Sequence, residues 1–119
     1  PICYVLTGNS IYFHCAPEGQ KLDNVMHDGR ACLTAVSAAR NLGKRLTMAY
    51  ESAMAFGMVR PVYGEDERQA ALRLLCAKYA PDMTAEELDG KIARWGVNTV
   101  ILRMEVEYIA GKASHAEEL

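Results

Sequence analysis

The sequence predicts an α+β domain, mainly β, built on a small antiparallel β-barrel, and three observations lead to this fold class. About five apolar or alternating segments are separated by turn or loop residues, which is typical of antiparallel strands. Two helical segments lie together ahead of the last strand, and strands and helices do not follow the βαβ order of a parallel sheet. The 119 residues, half of them apolar, predict a single domain over 1–119.

The first elements are a predicted β-hairpin and a short helix. The apolar runs Ile2–Leu6 and Ile11–Cys15 flank a cluster of turn residues, Thr7–Ser10. After a Pro/Gly turn, Lys21–His27 carries apolar residues at helical spacing, which predicts a short helix that ends at Asp28-Gly29.

Two strands are predicted in the middle of the chain, Arg30–Ser37 and Leu46–Tyr63, with a polar loop at 38–46 between them. In the second of these strands Gly57 predicts a bend or bulge, which a closing barrel needs. Alternation places five residues of this strand on one face: Tyr50, Ser52, Met54, Phe56 and Met58.

The second half of the chain predicts two helices and a last strand. Glu65–Tyr79 has an acidic first turn and an apolar face, and Thr84–Glu87 is a capping box that opens a helix to about Arg94. Val97–Ile109 alternates apolar and charged residues, as a long strand does. At the junction, Trp95 is expected to be a core or interface anchor, with ring stacking as the alternative.

Charge and cysteine usage exclude several classes of protein. The net charge of −2 argues against nucleic-acid and membrane-surface binding, which both need a basic patch. No apolar run approaches the roughly 18–20 residues of a membrane span, and no leader-like segment precedes the first strand, so a cytoplasmic location is expected. No Cys/His spacing indicates a metal site, and we expect reduced, buried thiols at Cys3, Cys15, Cys32 and Cys76.

The segment between the hairpin and the short helix is a candidate phosphate site. Lys21 stands at the start of the predicted helix, where free backbone N–H groups and the positive end of the helix dipole favour an anion. Gly19 permits close approach to the backbone. The pattern is neither a Walker loop nor G-x-G-x-x-G. The alternative is a solvent-exposed lysine on a surface helix.

Two further side chains are candidates for chemistry. His14 lies in the strand before the turn, on the opposite face from Phe13, and is either a hydrogen-bonded structural residue or a proton donor. Ser52 interrupts an apolar strand face. It has no G-x-S-x-G context, so its hydroxyl is expected to bond a neighbouring strand rather than to act as a nucleophile.

Three segments carry a family resemblance that covers nearly the whole chain: Ile11–Asp23 (IYFHCAPEGQKLD), Tyr50–Gly57 (YESAMAFG) and Val100–Ser114 (VILRMEVEYIAGKAS). Together they resemble the pyridoxamine-5′-phosphate-oxidase-like flavin-binding proteins, and within them the nitroimidazole-resistance branch. The resemblance implies a split β-barrel, a homodimer, and FMN bound in a cleft between the two subunits.

The resemblance also implies roles for individual residues. Lys21 would hold the FMN phosphate, and Gln20, where the oxidase branch has a second cation, would only hydrogen-bond it. Ser52 would face the flavin, and His14 would lie at the reactive centre and donate a proton to the substrate. The full set of implied flavin-binding residues is Phe13, His14, Ala16, Gly19, Gln20, Lys21 and Ser52.

The chain also departs from the family. The usual N-terminal helix and first strand are not found, and the C-terminal Arg/His motif of true pyridoxamine-phosphate oxidases is replaced by Ser-His-Ala-Glu-Glu-Leu. The resemblance therefore implies an FMN-dependent oxidoreductase that reduces nitroimidazoles, other nitroaromatics or other small electrophiles, and not vitamin B6 oxidation. Two alternatives stay open: a flavin carrier or sensor without turnover, and a dimeric structural domain without cofactor.

Overall fold

One antiparallel five-stranded sheet and three α-helices make up the computed structural model, which describes residues 1–115. The strands follow the order β1-β2-β5-β4-β3 across the sheet, so the α+β class is confirmed. The elements in chain order are β1 (Tyr4–Thr7), β2 (Ser10–Cys15), α1 (Gln20–His27), β3 (Arg30–Leu42), β4 (Thr47–Pro61), α2 (Glu65–Tyr79), α3 (Ala85–Trp95) and β5 (Val100–Ser114).

The sheet buries residues on both of its faces. On the inner face, Phe13, Leu102 and Met104 form a core with apolar residues of α1. On the outer face, Tyr12 and Ile101 form a second core with α2 and α3. Neighbouring residues of β5 point to opposite faces, and Ile101 and Leu102 are both fully buried, so β5 is covered from both sides.

The middle of the chain contains more strand than predicted. Strand β3 continues to Leu42, so the prediction of a loop at 38–46 is wrong. Residues 38–42 pair with 47–51 of β4 after a register shift between Val36 and Ala38, although their side chains are mostly exposed. Strand pairing in this segment is made by backbone hydrogen bonds, so the side chains carry no apolar alternation that would predict a strand.

The bulge predicted at Gly57 is confirmed. The pairing of β4 with β5 shifts register between Phe56 and Gly57. A Cβ atom at Gly57 would overlap the carbonyl oxygen of Glu105 and lie 2.9 Å from its carbonyl carbon. Only glycine permits this close approach of two backbones.

The predicted helices are also confirmed. Helix α2 covers Glu65–Tyr79, and α3 follows Thr84, whose Oγ1 accepts a hydrogen bond of 3.2 Å from the backbone N–H of Glu87. Helix α2 is fixed to the outer face by Glu67, which accepts hydrogen bonds from the Tyr12 hydroxyl at 2.7 Å and from Arg103. None of the helices within residues 1–115 is long and apolar enough to cross a membrane.

Two expectations about burial are wrong, one of them only in part. Trp95 is 61% exposed and is therefore not a core residue, whereas its role as an interface anchor stays a prediction. All four cysteines are free, but Cys3 and Cys32 are exposed, whereas Cys15 and Cys76 are half-buried. The reason is positional: Cys3 precedes β1, and Cys32 lies on edge strand β3, on the face away from the inner core.

Candidate functional site

A groove of about 520 Å³, here called the inner groove, opens on the inner face between the two edge strands, β1 and β3. Phe13, Val59 and Met104 of the central strands line it with apolar surface. Helix α1 adds Lys21 and Val25. The groove therefore combines an apolar interior with the start of a helix.

The start of α1 offers unused donors and an unpaired cation. Gly19, the N-cap, has a φ of 144°, which glycine adopts easily, and no side chain caps the helix start. The side chain of Lys21 forms no hydrogen bond or ion pair with any residue in 1–115. By contrast, Thr84 caps α3. An anion at α1 would therefore find N–H groups, a helix dipole and a lysine together.

The other charges of the inner groove neutralise each other. Arg30 binds Asp28 with a distance of 2.6 Å between Nη2 and Oδ2, and these hydrogen bonds lower the pKa of Asp28 to about 2. Near α1, burial raises the pKa of the Cys15 thiol, and the charge of Lys21 opposes that effect. Among the described side chains that line the groove, Lys21 is thus the cation left for an anionic ligand.

The structure brings together some of the predicted site residues. Phe13 and Lys21 both line the inner groove. Ala16, Gly19 and Gln20 lie exposed between β2 and α1 or in its first turn, next to Lys21. These five residues therefore surround the start of α1.

His14 and Ser52 lie elsewhere. His14 is exposed and lies on the opposite face of β2 from Phe13. His14 pairs with Ile101 and Ser52 with Lys112, which are eleven residues apart on β5, or roughly 35 Å at the rise of a strand. Within one chain, His14 and Ser52 therefore do not meet.

A second cavity, here called the outer cavity, lies on the outer face between the sheet and helices α2 and α3. It has a volume of about 280 Å³ and includes His14 at the end of β2. Its other lining residues come from several elements and connecting segments: Cys3, Leu72, Leu75, Cys76, Tyr79, Ala80, Met83, Lys91, Trp95 and Thr99. The sequence did not predict this cavity. The one residue that pointed to it was Trp95, at the junction between the second predicted helix and the last strand.

The far ends of the long strands carry an exposed apolar surface. Val36, Met54, Phe56 and Tyr108, here called the arm face, share one side of the sheet and are 37–63% exposed. The rings of Phe56 and Tyr108 lie 5.9 Å apart. Ser52 is half-buried on the same side, paired with Val36. Such a contiguous apolar surface is typical of an interface.

The family model described as pyridoxamine 5′-phosphate oxidase matches residues 1–113 of the chain. The comparison with curated proteins gave no match.

Several solved structures are similar to this fold. A candidate 5-nitroimidazole antibiotic resistance protein from Bacteroides thetaiotaomicron is 20% identical over 93% of this chain and 65% of its own, with a TM-score of 0.70. A conserved hypothetical protein from Mycobacterium tuberculosis is 13% identical over 98% of this chain and 68% of its own, with a TM-score of 0.78. An FAD and haem binding protein from Mycobacterium smegmatis is 16% identical over 97% of this chain and 58% of its own, with a TM-score of 0.68.

These similarities concern the fold. The chain spans 58–68% of the length of the three structures. Together with the strand order of the sheet, they confirm the predicted split-barrel α+β architecture.

Proposed function

The chain belongs to the pyridoxamine 5′-phosphate oxidase family, and on that premise we propose that it is an FMN-dependent oxidoreductase that works as a homodimer. The observation that carries the proposal is Lys21, whose side chain has no partner within residues 1–115, at the uncapped start of α1 and beside an apolar groove. The four free cysteines suit the reducing environment of the cytoplasm, which we propose as its location.

The residues at the start of α1 fit a flavin phosphate. A phosphate monoester accepts hydrogen bonds on several oxygens, and Lys21 would give it a charge-assisted bond. The side chain of Gln20 can donate a neutral hydrogen bond, and Gly19 leaves the backbone accessible. When bound, the flavin supplies the hydride and electron chemistry, while the protein supplies binding and orientation.

The similar structures support a flavin as the cofactor of this chain, but they do not distinguish FMN from FAD. The protein from Mycobacterium smegmatis is described as binding FAD and haem, and one from Mesorhizobium loti as binding FAD. We propose FMN because a single unpaired lysine at a helix start suits a terminal phosphate monoester. Titration with FMN and FAD in parallel decides between the two.

Redox measurements test the proposed activity. The purified protein loaded with FMN is reduced without oxygen by a nicotinamide nucleotide and then mixed with a 5-nitroimidazole. We expect the flavin absorbance to return as the nitro compound is reduced, as the likeness to the Bacteroides protein suggests. Flavin that binds but is never reoxidised by nitroaromatics would support the carrier or sensor instead. No flavin binding at all would refute both.

His14 is proposed as the proton donor to the substrate. Its side chain lines the outer cavity, on the face of β2 away from the inner groove, and forms no hydrogen bond or ion pair with the described part of the chain. In the proposed homodimer it would therefore act on a substrate at the flavin of the other subunit. In protein saturated with FMN, we expect His14→Gln to slow reoxidation by a nitroaromatic about 100-fold, because general acid catalysis is lost. Stopped-flow absorbance measures the rate. The control is His27→Gln at the end of α1, and equal rates in both variants would contradict the role of His14.

The proposed homodimer rests on the arm face. A second copy seated there would cover Phe56 and Tyr108, and in the proposed dimer the flavin would lie in a cleft between the two subunits. We expect Tyr108→Glu to convert the dimer to a monomer and to weaken FMN binding, because a carboxylate would be buried without a partner. Sedimentation velocity measures the oligomeric state.

The matched control for the dimer is Tyr63→Glu. Tyr63 is 81% exposed and lies beyond the end of β4, away from the arm face. This variant should sediment like the wild type. A wild-type protein that is a monomer at micromolar concentration would refute the homodimer.

A further inference from the structure

The outer cavity has the size and lining of a small-ligand site. Leu72 and Leu75 are 8% and 5% exposed, whereas the ring of Trp95 stands at the rim. A cavity of about 150 Å³ can hold benzene, so about 280 Å³ has room for one substituted ring. It lies just below the range of about 300–1,000 Å³ for larger ligands, which makes it too small for a flavin nucleotide.

The charges around the outer cavity indicate the sign of the charge that a ligand would carry. Lys91 and His14 line it, and neither side chain forms a hydrogen bond or ion pair with another residue in 1–115. The Nζ of Lys91 lies 5.7 Å from the Trp95 ring centroid. No aspartate or glutamate is among the described residues that line the cavity. Donors and a positive charge without a counter-charge favour an anionic ligand.

We propose that the outer cavity binds a small aromatic carboxylate, with its ring against Leu72, Leu75 and Trp95 and its carboxylate facing Lys91. Ring stacking on Trp95 and burial of apolar surface would supply the affinity, and the lysine would select for the anion. The site lies on the opposite face of the sheet from the inner groove. It therefore does not depend on whether the inner groove binds a flavin.

The single tryptophan of the chain provides a direct readout, because Trp95 lines this cavity. Phenylacetate, which does not absorb where tryptophan is excited, is titrated into the purified protein. Its neutral isostere, phenylacetamide, is titrated in parallel. We expect a saturable change of emission with phenylacetate and at least about fivefold weaker binding of phenylacetamide, because the amide carries no charge for Lys91.

Lys91→Gln tests the anion contact and Lys44→Gln is its control. Both lysines are exposed, and Lys44 lies in the turn between β3 and β4, outside the cavity. Phenylacetate should bind about fivefold more weakly to Lys91→Gln and with wild-type affinity to Lys44→Gln. Emission that does not saturate, equal binding of acid and amide, or equal affinities of the two variants would each overturn the proposal.

A calorimetric titration separates this site from the flavin site. The affinity for FMN should be the same with and without saturating phenylacetate. Competition between them would overturn the assignment, because it would place the acid where the flavin binds. A protein that binds phenylacetate but no FMN would refute the proposed flavin function and leave the outer cavity as assigned.

Discussion

Lys21→Ala is expected to weaken FMN binding roughly 10- to 100-fold, because a hydrogen bond from a charged donor to the phosphate is lost. The same substitution should leave the flavin-free protein as stable as the wild type or slightly more so. A lysine in the first turn of a helix opposes the helix dipole unless an anion binds there, and Lys21 has no partner among the described residues. Loss of affinity without loss of stability is the signature of a ligand contact.

Flavin fluorescence quenching measures the affinity, with riboflavin as the matched ligand because it lacks the phosphate. Lys21→Ala should reduce the advantage of FMN over riboflavin and leave riboflavin binding unchanged. The control is Lys44→Ala, in the turn between β3 and β4. If Lys21→Ala keeps the FMN affinity of the wild type, the phosphate lies elsewhere and the proposed anchor is wrong.

Gly57→Ala is expected to destabilise the protein by about 2–4 kcal/mol and to lower the melting temperature by roughly 10–15 °C. The added methyl group would overlap the backbone carbonyl of Glu105 on the neighbouring strand. Backbone atoms in the centre of a sheet cannot rotate aside as a side chain does, so the two central strands would have to separate locally.

Gly111→Ala is the control for Gly57→Ala, because Gly111 also lies in the β4–β5 pair. A Cβ atom there would meet only the carbonyl oxygen of Ser52 at 3.9 Å, an ordinary contact. Thermal unfolding followed by circular dichroism compares both variants with the wild type. If both variants melt near the wild-type temperature, the bulge tolerates a side chain at position 57 and the close approach of the two backbones is not essential.

Elements with strong local signals were predictable from the sequence. The acidic first turn and apolar face of α2, the capping box at Thr84 and the bulge at Gly57 each follow from neighbouring residues. The second half of β3 was not predictable. Its residues are mostly exposed, and its pairing with β4 is a backbone interaction that leaves no apolar alternation.

The candidate sites were only partly predictable for a similar reason. That Lys21 and Phe13 line the same groove could be inferred from the sequence, because they lie on either side of one turn. The outer cavity could not, because Cys3, His14, Cys76 and Trp95 are far apart in the chain and are brought together by the packing of α2 and α3 on the sheet. The distance between His14 and Ser52 depends on the register of β5 with two other strands, which no local pattern encodes.

The place of β5 also has a consequence for biosynthesis. Of the five described strands it is synthesised last, yet it joins β2 to β4 and supplies the most buried side chains of both cores. Before residues 100–114 emerge, the nascent chain can form local hairpins and helices, but the two halves of its sheet have nothing to pair with. Such long-range pairing is slow and leaves apolar surface open to aggregation. Cooperative folding of the sheet therefore has to await the synthesis of β5, and until then its apolar surface stays open to chaperone binding.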